Sequence, residues 1–162
     1  MKVITAPNQD FSLDSIINNR SLFLAGGITN CPDWQSDVIK ELEGFKHLTV
    51  YNPRRETFDI TNPQESETQI CWEFAYLKTV DIICFWFAKG SLNPIVLYEL
   101  GLHGNGSNKA IIIGCDPDYE RIPDVYIQTK LARPELKVHI GFENFITALK
   151  RFIIEDEDTR NF

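Results

Sequence analysis

Two glutamates carry most of the chemistry this chain can offer. Glu99 stands inside the apolar run Ile95-Val96-Leu97-Tyr98-Glu99-Leu100, and Glu73 follows Trp72 in a separate segment. Burying an ionised carboxylate costs on the order of several kcal/mol unless something compensates it. An acid in such a run either lies on a solvated stripe or serves a reaction. Paired carboxylates have a definite use in glycosidic chemistry. Cleavage at a sugar's anomeric carbon passes through an oxocarbenium-like state that one carboxylate stabilises or traps, while a second acid manages the proton on the departing group. The solvated reading stays open for both residues, because most helix glutamates face water.

The elements that must position these acids are legible in outline. Asp81 to Phe87 reads as a buried strand, followed by a loop and a helix opening at Asn93-Pro94, with Asn as N-cap and Pro in the first turn. Further strands are expected at Ser21–Ala25, Leu48–Tyr51, Lys109–Cys115 and Leu136–Ile140. A helix follows Pro32-Asp33 with Trp34, Val38, Leu42 and Phe45 at helical spacing. Another starts at Gln64 or Ser66, with Ile70, Phe74 and Leu77 as its packing stripe and Glu73 off that stripe. A short helix or irregular segment is expected over Pro123 to Leu131, and Gly141 to Phe152 reads as the last helix, with Phe145, Leu149 and Phe152 on one side.

Strands alternating with helices imply right-handed βαβ units. The expected architecture is a single flavodoxin-like or Rossmann-like α/β domain. It has a five-stranded parallel sheet in the order 2-1-3-4-5, with helices on both faces. Residues 1–20 read as an N-terminal extension with a helical turn near Leu13 to Ile17, residues 21–153 as the domain, and residues 154–162 as an acidic tail.

In such folds ligands bind beyond the carboxyl ends of the strands, at the point where the strand order reverses. The first strand delivers Gly26, Gly27, Thr29 and Asn30, and the second delivers Asn52, Arg54 and Arg55. The third delivers Lys89, Ser91 and Asn93, with Glu99 one turn into its helix, and the fourth delivers Asp116 and Asp118. Trp34, Trp86 and Phe87 offer flat apolar walls for a ring. This set suits a nucleoside or nucleotide, although loops are polar in any case. The paired glycines make neither GxGxxG nor a P-loop, so dinucleotide and ATP sites are unsupported. His47, His103 and His139 do not stand at strand ends, and no Ser-His-Asp or Cys-His arrangement emerges.

Composition excludes other classes. A net charge of −7 and a pI near 4.9 argue against a nucleic-acid binder, which needs a basic face. The 43% hydrophobic and 24% charged content is that of a soluble globular chain. No segment approaches the ~18 apolar residues of a membrane span. Cys31, Cys71, Cys84 and Cys115 are spread singly without CxxC spacing, which reads as reduced thiols in a cytoplasmic protein. Neither a metal nor an organic cofactor is signalled.

At these residues the sequence resembles the nucleoside 2-deoxyribosyltransferase family, including its deoxyribosyltransferase-like branch. The resemblance is carried by Ala25-Gly26-Gly27 with Pro32 and Trp34, by Asn52-Pro53-Arg54, and by Trp72-Glu73 with Asp81 eight residues on. Tyr98-Glu99-Leu100-Gly101 is its most specific piece, and the whole covers roughly residues 21 to 150. The resemblance implies an enzyme of nucleotide salvage that transfers deoxyribose between bases, with Glu99 as the nucleophile holding the sugar. Glu73 falls where the family usually has an aspartate near the base, and Asn93 where transferases have another aspartate. The tyrosine that orients the nucleophile would fall at Leu22, with Tyr98 the candidate substitute. Asp124 falls near an asparagine that the family supplies from a neighbouring subunit, so a homo-oligomer is implied. Gly26, Gly27, Trp34, Asn52, Arg54, Trp86, Ser91 and Asn93 complete the expected substrate contacts. Two rivals stand beside transfer. One is a nucleoside 5′-monophosphate hydrolase that uses the same Glu99, with Arg54 and Arg55 on the phosphate. The other is a nucleotide-sensing module without chemistry.

Overall fold

The computed structural model describes residues 1–9, 19–59, 61–104 and 109–160, with side chains as far as residue 156. The expected turn at Leu13 to Ile17 lies outside the described residues. The strands are β1 (Lys2–Thr5), β2 (Arg20–Gly26), β3 (Leu48–Asn52), β4 (Ile82–Phe87), β5 (Ala110–Cys115) and β6 (Val138–Ile140). The helices are α1 (Trp34–Glu41), α2 (Pro63–Thr79), α3 (Pro94–Gly104), α4 (Ile122–Ala132) and α5 (Phe142–Arg160).

Every strand pair is parallel, and the order is β1-β3-β2-β4-β5-β6. The sheet therefore has six strands, not the expected five in the order 2-1-3-4-5. The five expected strands keep their relative order, and the added one comes from the N-terminal stretch. Lys2 to Thr5 pair with Thr49 to Asn52 along the outer edge of β3. At four residues, β1 is too short for alternation to announce it, and only its pairing reveals it.

Alternation along the strands sorts the core into two layers. Phe23, Ala25, Ile83, Phe85 and Phe87 face Trp72 and Leu77 of α2, Val96 of α3 and Val125 of α4. Leu22, Leu24, Ile82, Cys84 and Trp86 face Trp34 and Val38 of α1, and Phe145, Leu149 and Ile153 of α5. At the amino ends of the strands, the Asp81 carboxylate accepts from the Ser21 backbone amide at 2.9 Å and from the Ser21 hydroxyl at 2.6 Å. This ties β2 to β4 at the end of the sheet opposite the ligand crevice.

Three local expectations change. In α2 the buried residues are Gln69, Trp72 and Leu77, whereas Ile70 and Phe74 are 64% and 55% exposed. The indole of Trp72 sets this rotation by packing at a tilt against Phe23 and Tyr76, with ring centroids 5.8 Å and 4.7 Å away. Asn93 does not cap α3 with its side chain. Its backbone sits at φ 49°, and its amide nitrogen donates to Ala88 O at 3.0 Å and Ser91 O at 2.9 Å. Asn tolerates this left-handed conformation better than most residues. Finally, α5 runs past Phe152 to Arg160, where Asp156 pairs with Arg20.

Ile4 is 5% exposed and belongs to the core layer under α2. Ile4→Asp should cost about 3 kcal/mol of stability in urea unfolding, because it buries an unpaired acid. A change below about 0.5 kcal/mol would make β1 a dispensable addition.

Candidate active site

The strand order reverses at β2, which lies between β3 and β4, and a cavity of about 390 Å³ opens there. This volume falls in the range of small-molecule sites. Phe23, Ala25, Gly26 and Gly27 of β2 and its loop make the floor; Asn93, Val96 and Glu99 come from the α3 side. Gln69 and Glu73 come from α2, and Pro53, Arg55 and Phe58 from the loop after β3.

The two glycines are there for space. A Cβ on Gly26 would stand 2.3 Å from the Trp34 ring and 2.6 Å from Trp86 O. One on Gly27 would stand 2.1 Å from Asn93 Oδ1 and 2.5 Å from Cys31 Sγ. The absent side chains let β2 approach the start of α3 closely, so that the two elements share one wall.

Glu99 reaches the cavity from the second turn of α3, and Glu73 reaches it from the middle of α2. Burial pushes the Glu99 carboxyl up to about 8, and the neighbouring Glu73 charge adds to the rise. Burial also raises Glu73, opposed by the Gln69 amide, which donates to Glu73 Oε1 at 2.8 Å. Two buried acids that feel each other's charge resist being ionised together, which favours a proton on Glu99 at neutral pH. Such a pair can present a carboxylate and a carboxylic acid to the same ligand.

The remaining expected residues fall into three positions. Ser91 and Asn93 line the cavity with Gly26, Gly27 and both acids. Trp34, Asn52 and Arg54 lie behind the wall and hold it. Trp34 Nε1 donates to Gly27 O at 3.0 Å, and Asn52 Oδ1 accepts from Arg54 N at 3.0 Å. The Arg54 guanidinium donates to Gln35 Oε1 at 2.8 Å and Pro32 O at 2.9 Å and pairs with Asp33, so its charge serves the loop after β2. Trp86 and Asp124 stand apart from the cavity. Trp86 is buried on the far face against Phe142 and Phe145, and Asp124 is exposed on α4 beside Arg121. Leu22 also points to the far face, and Tyr98 is exposed.

Gln69, Phe58 and Ser66 line the cavity without having been singled out from sequence. Gln69 had a signal: it stands four residues before Glu73, which puts both on one face of a helix. The expected stripe of Ile70, Phe74 and Leu77 concealed it.

Residues 19–119 match the family model described as nucleoside 2-deoxyribosyltransferase like. No curated protein matches the chain. The match spans well over half of the sequence, and the chain belongs to this family.

The raised acid has a consequence for stability. Between its ordinary value of 4.5 and about 8, Glu99 keeps its proton in the folded state and loses it in the unfolded state. The unfolded state then binds fewer protons, so stability falls as pH rises through that window. Glu99→Gln should remove this slope and stabilise the protein at pH 8 by on the order of 3 kcal/mol, with little change at pH 4.5. Urea midpoints at the two pH values measure it.

Proposed function

We propose that this member of the nucleoside 2-deoxyribosyltransferase-like family cleaves the N-glycosidic bond of 2′-deoxyribonucleosides and transfers the sugar to another nucleobase. The observation that carries the reading is that Glu99 and Glu73, from different helices, share one cavity and feel each other's charge. The Glu99 carboxylate attacks C1′ and forms a deoxyribosyl ester. The C1′–N bond breaks with its electron pair going to the base, and Glu73 delivers the proton that neutralises it. A second base, deprotonated by Glu73, then attacks C1′ and frees Glu99. In the empty site Glu99 holds the shared proton more tightly; positive charge growing at C1′ favours the Glu99 anion and places the proton on Glu73.

Gly26, Gly27, Ser91 and Asn93 shape the wall against the sugar, while Trp34, Asn52 and Arg54 position that wall. Hydrolysis of a 5′-monophosphate draws less support, because Arg54 is occupied by the loop after β2 and the charge of Arg55 is already paired with Glu65 at 3.1 Å, which leaves neither arginine as an uncompensated cation for a phosphate. Ile70 and Ile95, which line the cavity, and Phe74 and Tyr98 leave apolar surface exposed on α2 and α3, which supports assembly into a homo-oligomer. Four free thiols fit a reducing, cytoplasmic setting.

Incubation with a deoxynucleoside and a different free base, followed by chromatography, should yield the exchanged nucleoside. Free base without exchange would replace transfer by hydrolysis. Glu99→Ala should lose turnover by about a thousandfold or more while remaining folded, and Glu73→Ala by about a hundredfold. Wild-type turnover in Glu99→Ala would remove the nucleophile.

The reactive pair carries one proton, so kcat/KM should be bell-shaped in pH and fall above about 8 as that proton leaves. Glu73→Gln removes the neighbouring charge, so Glu99 should ionise at lower pH. The falling limb should then disappear, leaving a residual rate that rises to a plateau.

A further inference from the structure

Among the described residues, two buried side-chain polar atoms lack a hydrogen-bond partner, Arg55 Nη1 and Gln69 Oε1. Both residues line the cavity that holds Glu73 and Glu99. One atom is a donor and the other an acceptor. A buried polar group without a partner costs about 1–3 kcal/mol, and native structures keep few of them.

The amide orientation of Gln69 follows from its neighbours. Its Nε2 donates to Pro53 O at 2.9 Å and to Glu73 Oε1 at 2.8 Å. Both partners are acceptors, so the NH2 group must face them, and Oε1 is left as a free acceptor. The side chain is 8% exposed, which holds that geometry.

Arg55 is held from its other edge. Its Nη2 donates to Glu65 Oε2 at 3.1 Å, and the guanidinium lies 5.3 Å from the centroid of the Phe58 ring. Phe58 lines the same cavity and offers a flat face to a planar ligand. The cavity thus joins an aromatic face, a fixed cationic donor and a fixed neutral acceptor, close to the acid assigned to the departing base.

We propose that Arg55 and Gln69 read the edge of the nucleobase, and that the edge they fit is a lactam, a ring C=O beside a ring N–H. The carbonyl oxygen accepts from Arg55 Nη1, and the N–H donates to Gln69 Oε1. A carbonyl oxygen is the stronger match for a charged donor, which leaves the N–H for the neutral amide. The preferred bases are therefore 4-oxopyrimidines and 6-oxopurines. This assignment rests on the proposed nucleoside chemistry for its ligand, but on binding rather than turnover for its test.

The test compares 2′-deoxyuridine with N3-methyl-2′-deoxyuridine, which keeps the carbonyls and blocks the N–H. Calorimetric Kd and kcat/KM for base release are measured on the full-length wild type, Gln69→Met and Arg55→Met. The wild type should favour the N3–H nucleoside by about tenfold or more, the worth of one hydrogen bond to a buried acceptor. Gln69→Met is close in size but has no acceptor, so the preference should fall to within about threefold. Arg55→Met should weaken both ligands alike by about tenfold and keep the preference, because both carry the carbonyl.

Four results would overturn the edge assignment. They are equal binding of the two nucleosides by the wild type, an unchanged preference in Gln69→Met (a steric effect of the methyl group), binding of neither nucleoside at millimolar concentration, or a tenfold preference for 2′-deoxycytidine over 2′-deoxyuridine. Discrimination in binding without any base release would keep the assignment and remove the glycosidic reaction. Release of base at equal kcat/KM from both nucleosides would do the reverse.

Discussion

The burial of one indole orients the site. Trp72 sits between Phe23 of β2 and Tyr76 of its own helix, and its Nε1 donates to Asn8 O at 2.7 Å. A buried aromatic ring of this size contributes on the order of 3 kcal/mol. Once Trp72 points at the sheet, Gln69 and Glu73 must point at the crevice, three residues back and one residue on. Ile70 and Phe74 are then left facing outward. The position of the acid follows from packing, and its chemistry follows from the position.

The cavity is expensive to maintain. It is lined by two buried acids that raise each other's cost of ionisation, a glutamine acceptor and an arginine donor without partners, and an asparagine at positive φ. Each of these lowers stability by an amount comparable to a typical single substitution. They persist because the six-stranded sheet and its two apolar layers supply the compensation. Strain and unmet hydrogen bonding are concentrated at the carboxyl ends of β2 and β4, where a ligand is able to relieve them.

The wall behind the cavity shows a division of labour among residues that a sequence presents as equals. Arg54 and Arg55 are adjacent, yet Arg54 turns back to bind Gln35, Pro32 and Asp33, and Arg55 turns into the crevice. Trp34 and Trp86 sit in the core layer opposite α2 and α3. Trp34 fixes the Gly27 carbonyl from behind, while the aromatic residues lining the cavity are Phe23 and Phe58.

The sequence by itself determined the alternation of strands and helices, the ends of the strands at which polar residues gather, and Glu99 as an acid in an apolar setting. These are local properties: side-chain periodicity, turn residues and the cost of burying charge act over a few neighbouring positions. Three things were decided only by tertiary structure. The strand Lys2–Thr5 exists because β3 offers it an edge, and four residues carry no pattern of their own. The face that α2 buries was settled by where Trp72 finds other rings, a contact between residues almost fifty positions apart. The separation of Arg54 from Arg55, and the presence of an unpartnered donor and an unpartnered acceptor on residues lining one cavity, depend on which partners the fold brings within hydrogen-bonding distance, and neighbours in the chain do not fix that.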